Sequence, residues 1–435
     1  MQALLGTNAK SIHAGGKPAR SLDSSAAACE AKAARFRLQR TAQSILFRKD
    51  LAPLQQHRTC WCHRSMRGES ATLYRAADGS NAYLSGLNTC GNGWTCPVCG
   101  AKIAEHRRRE LSEAMAAWTN AEGGTAYLVT LTFPHAAGDD LGAMLEKLAK
   151  ARQGWKNSRT YKRILGPDGT AGSAGAVTAM EVTHGANGWH PHVHMLVFAA
   201  RGGLGDGLPA LNGDLSSPDI DALRGAWVKQ LLKVGLADQQ QVSDVWAHSF
   251  NVRGGEKAAE YIAKYGRDTR WGASSELTRS AAKVGAAGTV GGALHVTPFQ
   301  LLEWAGAGDT RAGALFREYA DAFHGKRLLT WSPGLRKRLK LSAEEASDEA
   351  VADLDEELPE RQRVGVLQVE DLQVIVSRGL LGELVRTFGP YGRADDQESL
   401  NDWMAWARTM PKTGRGAVLV PRVFTSGRDV LELAA

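Results

Sequence analysis

The sequence predicts an α+β fold: an antiparallel sheet with helices on one face, preceded by a cysteine-rich module and followed by a small C-terminal α/β unit. Three observations predict it. Strand-like and helical runs alternate through residues 126–268, and two of the strands meet at a Gly/Asn-rich turn that reads as a hairpin. Five of the six cysteines fall between positions 60 and 99, just ahead of that alternation.

A chain of 435 residues suggests two or three domains. Residues 1–45 are rich in Ala, Ser and Arg and poor in acids, as transit peptides are, but they have no apolar core for export. They are read as a flexible tail, disordered or loosely helical, and the protein is expected in the cytoplasm. Residues 46–115 form the cysteine-rich module and end in a basic helix over 104–117 that carries His106, Arg107, Arg108 and Arg109. The main domain spans 116–340. Its first strand is AYLVTLTF (126–133), β-branched and aromatic and closed by Pro134. Residues 139–158 have helical spacing, with acids at the start and bases toward the end, as the helix dipole prefers. The hairpin pairs AVTAMEVT with HPHVHMLVF within 174–200. A Gly-rich loop then runs to Pro218, followed by a helix over 219–236, a strand over VSDVWAHSFNVR and a helix over 255–268 with a Gly stop. Residues 341–360 read as an acidic linker or exposed face, and 361–435 as a small domain with no assignable task.

Hydrophobic content of 43% and charged content of 23% are ordinary for a soluble globular protein. No apolar run approaches the roughly 18–20 residues that span a bilayer, so no membrane partner is expected. Net charge is +7 but uneven. Residues 341–360 carry nine carboxylates without a Lys or Arg, and 361–435 carry a net +1, which leaves +15 on residues 1–340. That excess favours a polyanionic partner.

The motif richest in chemistry is GWHPHVH (188–194). Residues two apart on a strand project from one face, so His192 and His194 point together while Val193 faces the core. Two imidazoles so placed can hold a divalent cation. Glu181, on the opposing strand of the hairpin, is the candidate third ligand, and His190, which shares their parity, is its rival. Further on, Tyr261 and Tyr265 stand four apart in a segment with Lys257, Lys264, Arg267 and Arg270. On a helix the two phenols share one face, either as core aromatics or as nucleophiles toward a phosphodiester. A phenol with pKa near 10 is ionised in about one molecule per thousand at neutral pH, a deficit of roughly 4 kcal/mol. A nearby cation on the phosphate, and Lys264 beside the phenol, would offset that deficit.

Clustered cysteines in a cytosolic chain suggest metal before disulfides. Cys96 and Cys99 supply two thiolates from one turn, and Cys90 with Cys60 or Cys62 completes a tetrahedral Zn²⁺ site. The set taken is Cys60, Cys90, Cys96 and Cys99, with His63 able to replace a thiol. Reduced structural cysteines or a redox pair are the other readings. The helix bearing Arg107–Arg109 either approaches DNA or is a solvated basic face.

VTLTFPH (129–135), GWHPHVH (188–194) and YIAKY (261–265) occur in the order seen in HUH endonucleases. Over residues 60–340 the chain resembles the rolling-circle replication initiators of small bacterial plasmids, and the cysteine-rich start and AFHGKRLLTWSPGLRKRL (322–339) fit that family too. The resemblance implies a ferredoxin-like or RRM-like sheet carrying the histidines, with the tyrosine helix across from them. It implies Mg²⁺ or Mn²⁺ held by His192 and His194, and nicking of plasmid origin DNA, single-stranded or hairpin, by Tyr265. A 5′-phosphotyrosyl link and a 3′-OH that primes rolling-circle replication follow, with host helicase and DNA polymerase as partners. Where some initiators place a glutamate one turn before the nucleophile, this chain has Tyr261, so it is more similar to the two-tyrosine initiators of single-stranded DNA phages and certain transposases. Glu260 is adjacent but points about 100° away around a helix. Imidazoles bind Zn²⁺, Ni²⁺ or Co²⁺ more tightly than Mg²⁺, so availability sets the metal. A transposase of the same chemistry and a non-catalytic zinc-containing DNA-binding regulator are the competing readings.

Overall fold

A computed structural model of the chain describes residues 22–77, 81–205, 214–254, 288–290, 293–341, 345–354, 361–389, 396–414, 419–420 and 432–433. The first element, α1 (Leu22–Leu46), corrects the expectation of a flexible tail up to residue 45. Alanine loses no side-chain entropy in a helix, and its small side chain lets neighbours approach closely. Ala31, Ala33, Ala34, Leu38, Ala42 and Leu46 are all buried.

β1 (Ser70–Ala76) and β2 (Ala82–Ser85) form an antiparallel pair, and α2 (Pro97–Ala121) extends well beyond the expected basic helix at both ends. The main sheet begins with β3 (Thr125–Leu131). After α3 (Leu141–Asn157) and α4 (Arg159–Leu165) come the hairpin strands β4 (Gly175–Gly185) and β5 (Gly188–Ala199). Their connection is two residues long, and Gly188 enters β5 at φ +79°, a conformation that favours glycine. Next are α5 (Pro218–Val234), α6 (Val242–His248) and β6 (Phe250–Arg253). The expected strand over 242–253 is therefore half helix. Val242, Val245 and Trp246 recur at helical rather than alternating spacing, and Val245 is buried while Trp246 is exposed.

A short antiparallel pair, β7 (Gly288–Val290) and β8 (Ala293–His295), precedes α7 (Pro298–Gly306) and α8 (Thr310–Ala322). β9 (Leu329–Trp331) and α9 (Leu335–Arg338) close this part of the chain. The main sheet has the order β6-β3-β5-β4-β9, with antiparallel pairing throughout, the α+β architecture read from the sequence. One face buries Val129, Leu131, Val193, Met195, Phe250 and Val252 against α3 and α5. There the Trp155 indole N–H donates to the Leu223 carbonyl at 3.0 Å, which satisfies the polar end of a fully buried side chain. The opposite face is divided. Its lower half packs Leu128, Leu196 and Phe198 on Leu111 and Trp118 of α2, and its upper half carries polar side chains.

The acidic segment is not merely a linker. Within it, α10 (Asp348–Asp353) buries Val351 and Ala352, and Asp348 accepts from the buried Arg107 at 2.9 Å. Arg107 also donates to Glu110 at 2.7 Å, while Arg108 and Arg109 pair with Glu105. The basic run of α2 is thus largely neutralised by acids of the same chain.

The last correction concerns residues 361–435, expected as a separate domain. β10 (Arg361–Gln368) pairs antiparallel with β1, so that the first and last parts of the chain share the sheet β10-β1-β2. α11 (Val369–Arg378), α12 (Leu381–Phe388) and α13 (Gln397–Thr409) cover it and build a second core from Leu73, Val364, Leu367, Leu372, Ile375, Leu384, Phe388 and Leu400. α12 also lies against α1, where a Cβ on Gly382 would stand 2.8 Å from the Ala33 carbonyl oxygen. Phe388→Ala should cost about 3–5 kcal/mol and Leu73→Ala about 2–5 kcal/mol. Urea denaturation should show both substitutions shifting one common transition, since they remove parts of one core.

Candidate functional site: a histidine–glutamate group and a four-cysteine group

The hairpin register sets Glu181 opposite His192 and Ala179 opposite His194, while β3 sets Thr130 opposite His194. Facing residues on paired strands project to the same side. His192, His194, Glu181 and Thr130 therefore share the upper half of the divided face, and Val193 is fully buried behind them. His192 Nε2 lies 3.1 Å and His194 Nε2 3.4 Å from the same oxygen, Oε2 of Glu181. The rings meet edge to face at 4.9 Å. Behind them, His194 Nδ1 is 3.0 Å from Thr130 Oγ1, and His192 Nδ1 is 3.4 Å from the His190 carbonyl oxygen.

Burial alone would raise the Glu181 pKa. The charge interaction with His194 and hydrogen bonds from both imidazoles outweigh it and hold the carboxyl well below the usual carboxylate range. Two imidazole nitrogens and one carboxylate oxygen within 4.8 Å of one another form a donor set that can hold a divalent cation.

His190 does not join this group. It stacks on His135 with parallel rings 4.7 Å apart and has His295 at 6.2 Å. Burial, followed by its neighbours His192 and His135, pushes its pKa down to about 3. Tyr261, Lys264 and Tyr265 lie outside the described residues.

The second group is built from four cysteines. Cys62 follows a 3₁₀ turn (Arg58–Trp61), Cys96 immediately precedes α2 and Cys99 lies in its first turn. Cys62 Sγ lies 3.6 Å from Cys99 Sγ and 3.7 Å from Cys96 Sγ, and Cys90 Sγ lies 3.7 Å from Cys99 Sγ. These separations are far beyond the roughly 2.05 Å of a disulfide. Backbone N–H groups of Cys90 and Asn92 donate to the sulfurs of Cys62 and Cys90 at 3.3 and 3.4 Å. The Gln39 amide donates to Cys96 Sγ at 3.2 Å. Burial opposes ionisation of Cys96, but hydrogen bonds from the other three thiols hold its pKa well below the ordinary thiol range.

Cys62 takes the place expected for Cys60. Cys60 sits inside the 3₁₀ turn, 3.9 Å from the Gln43 carbonyl of α1, and burial pushes its thiol up to about 12. Only past the turn, where Cys62 is extended, does the chain face the other three sulfurs. His63 replaces no thiol. It sits beside the group, its Nδ1 3.6 Å from Cys62 Sγ and 3.1 Å from the Gln39 amide, and burial lowers it to about 4.

Sequence reasoning missed Gln39, Thr130, Trp94 and Tyr319. Trp94 lies between Cys90 and Cys96 in sequence, donates its indole N–H to the Lys326 carbonyl at 2.7 Å and packs on Phe323 at 4.4 Å. Its own carbonyl accepts the Tyr319 hydroxyl at 3.0 Å. Trp94, Tyr319 and Glu181 line one small cavity, which neither histidine of the group reaches.

Fold and site together define an α+β protein with two separate donor groups that could hold a metal ion, one on a sheet face and one of four buried cysteines. Over 333 residues the chain is 31% identical to the Protein rep of Streptomyces lividans, which covers 65% of this chain and 69% of that protein. It is also 32% identical over 154 residues to the Neomycin resistance protein of Streptomyces cyanogenus, 30% of this chain and 35% of that protein. No protein-family model matches the chain. No solved structure matches it. The chain belongs to the Rep family of replication proteins. Among the described residues, no helix is long and apolar enough to cross a membrane.

Tyr319→Phe would leave the buried Trp94 carbonyl without its hydroxyl partner. A loss of about 1–3 kcal/mol is expected, measured by urea unfolding against the parent chain.

Proposed function

We propose that this Rep protein initiates rolling-circle replication by nicking one strand of a plasmid double-strand origin and attaching itself to the 5′ end. The observation that carries the reading is the convergence of His192, His194 and Glu181 on one sheet face. The net +15 over residues 1–340 supports a polyanionic substrate.

A divalent cation, Mg²⁺ or Mn²⁺, would be held by the Nε2 atoms of His192 and His194 and the carboxylate of Glu181, and would neutralise charge on the non-bridging oxygens of the scissile phosphate. The upper half of the sheet face is the docking area for that phosphate, because α2 fills the lower half. The phenol oxygen of Tyr265 attacks phosphorus, the P–O3′ bond breaks and the departing 3′ oxygen takes up a proton. The phosphate stays on the tyrosine as a 5′-phosphotyrosyl ester, and the 3′-OH is free to prime synthesis by host DNA polymerase while host helicase unwinds the duplex. Lys264 favours the phenolate and holds the phosphate. Tyr261, four residues earlier, serves the second strand transfer that ends a round.

The four-cysteine group holds a structural Zn²⁺. Sulfurs tetrahedral about zinc at about 2.3 Å stand roughly 3.8 Å apart. The contacts of 3.6 and 3.7 Å among Cys62, Cys90, Cys96 and Cys99 match that spacing.

Supercoiled origin plasmid incubated with the protein and Mn²⁺ should yield nicked circles carrying covalently bound protein. Loss of His192 and His194 together removes several kcal/mol of charge stabilisation, so nicking should fall about a thousandfold. Should Tyr261→Phe/Tyr265→Phe retain nicking, the tyrosine mechanism is wrong. For the cysteines, elemental analysis should find about one zinc per chain in the parent protein and in Cys60→Ser, and none in Cys62→Ser.

A further inference from the structure

Both imidazoles of the site direct Nε2 toward Glu181, but different groups hold them there. His192 leans on a backbone carbonyl, that of His190, which no substitution removes. His194 instead meets a side chain, the Thr130 hydroxyl, at 3.0 Å. A half-turn of the His194 ring about Cβ–Cγ would exchange Nδ1 with Cδ2 and Nε2 with Cε1. Carbon would then face Glu181, and C–H would face the hydroxyl in place of a nitrogen. Packing alone separates the two poses poorly, because their outlines are nearly the same. The hydrogen bond does separate them.

We infer that Thr130 is a positioning residue for His194: its Oγ1 accepts the Nδ1–H, which fixes Nε2 as the atom offered to the cation. The inference rests on the cation reading of the Glu181–His192–His194 group. Its neighbours indicate that the hydroxyl is not there for packing. Val129 and Leu131 are fully buried on the opposite face, while Thr130 is only half-buried on the site face. Valine, of the same shape and at least as favourable in a strand, would serve the fold equally well. The edge-to-face contact of His194 on His192 carries the constraint to the second ligand as well. Hydrogen-bond partners behind metal-bound histidines fix ring orientation in this way, and their loss typically costs 10–100-fold in metal affinity.

The test compares the full-length chain with Thr130→Val, which removes the hydroxyl, and Thr130→Ser, which keeps it. Mn²⁺ affinity is read by electron paramagnetic resonance without DNA, and thermal unfolding is read in chelator. Thr130→Val should bind Mn²⁺ about 10–100-fold more weakly, and Thr130→Ser within about threefold of the parent, with a cooperative metal-free unfolding transition retained in both. A second readout needs no metal: ¹H–¹⁵N spectra should show a protected Nδ1–H on His194 in the parent and Thr130→Ser, and none in Thr130→Val. If Thr130→Val fails to fold, Thr130→Ala takes its place in both measurements. Unchanged Mn²⁺ affinity in Thr130→Val, equal weakening in Thr130→Ser, or no protected Nδ1–H in the parent overturns the inference. A parent chain that shows the protected proton but binds no Mn²⁺ supports Thr130's contact and sinks the cation reading instead.

Discussion

The site depends on the register between the two hairpin strands. Side chains alternate faces along a strand, so a slip of one residue would bring Val182 to the site and send Glu181 into the core. Burial on the other face enforces the register. Val193, Met195 and Val197 are essentially inaccessible to water, and exposing each would forfeit about 1.5–3 kcal/mol. The two-residue connection and the positive φ of Gly188 leave the hairpin little freedom to close differently. Thus the apolar side of β5 positions the polar side.

The two ligand groups answer the same electrostatic problem with different atoms. A buried carboxylate is costly, and Glu181 is tolerable because two imidazoles converge on one of its oxygens. Four buried thiols pose that problem only once they ionise, and amide donors from Cys90, Asn92 and Gln39 meet the sulfurs. In each place the chain concentrates electron pairs where water is scarce, an arrangement suited to a cation. The donors also separate the groups by chemistry: nitrogen and oxygen on the sheet, sulfur in the four-cysteine group.

The hairpin, the convergence of Glu181, His192 and His194 on it, and the helices over 139–158 and 219–236 were legible because their cues are local: alternation, a two-residue offset, a helical period. What escaped reading depends on distance. Nothing in VGVLQ advertises that it pairs with β1 almost three hundred residues earlier, and the composition that made α1 look like a tail is also what lets it pack tightly. The choice between Cys60 and Cys62 turned on a single 3₁₀ turn, which no spacing rule reveals. The acidic stretch read as exposed because charge was counted before partners were known. Its mate was the basic run of α2, and each hid the other's role. Thr130 escaped for the opposite reason: a threonine in a strand needs no explanation until a ring nitrogen is found beside it.

The four-cysteine group and the histidine–glutamate face are not independent ornaments on one fold. The loop from Cys90 to Cys96 passes through Trp94, whose carbonyl takes the Tyr319 hydroxyl and whose ring packs on Phe323 of the segment leading to β9. Tyr319 in turn stacks near Trp189, the residue before His190, and shares a cavity wall with Glu181. Trp94 and Tyr319 therefore tie the cysteine loop to a cavity that Glu181 also lines, in an interior where densely packed side chains have few ways to give. α1 adds a second tie, because Gln39 reaches the Cys96 sulfur from a helix that also packs on α12 of the terminal unit. The donor side chains on one sheet face are thus surrounded by packing that reaches segments far apart in the sequence, the kind of support that a precisely held site requires.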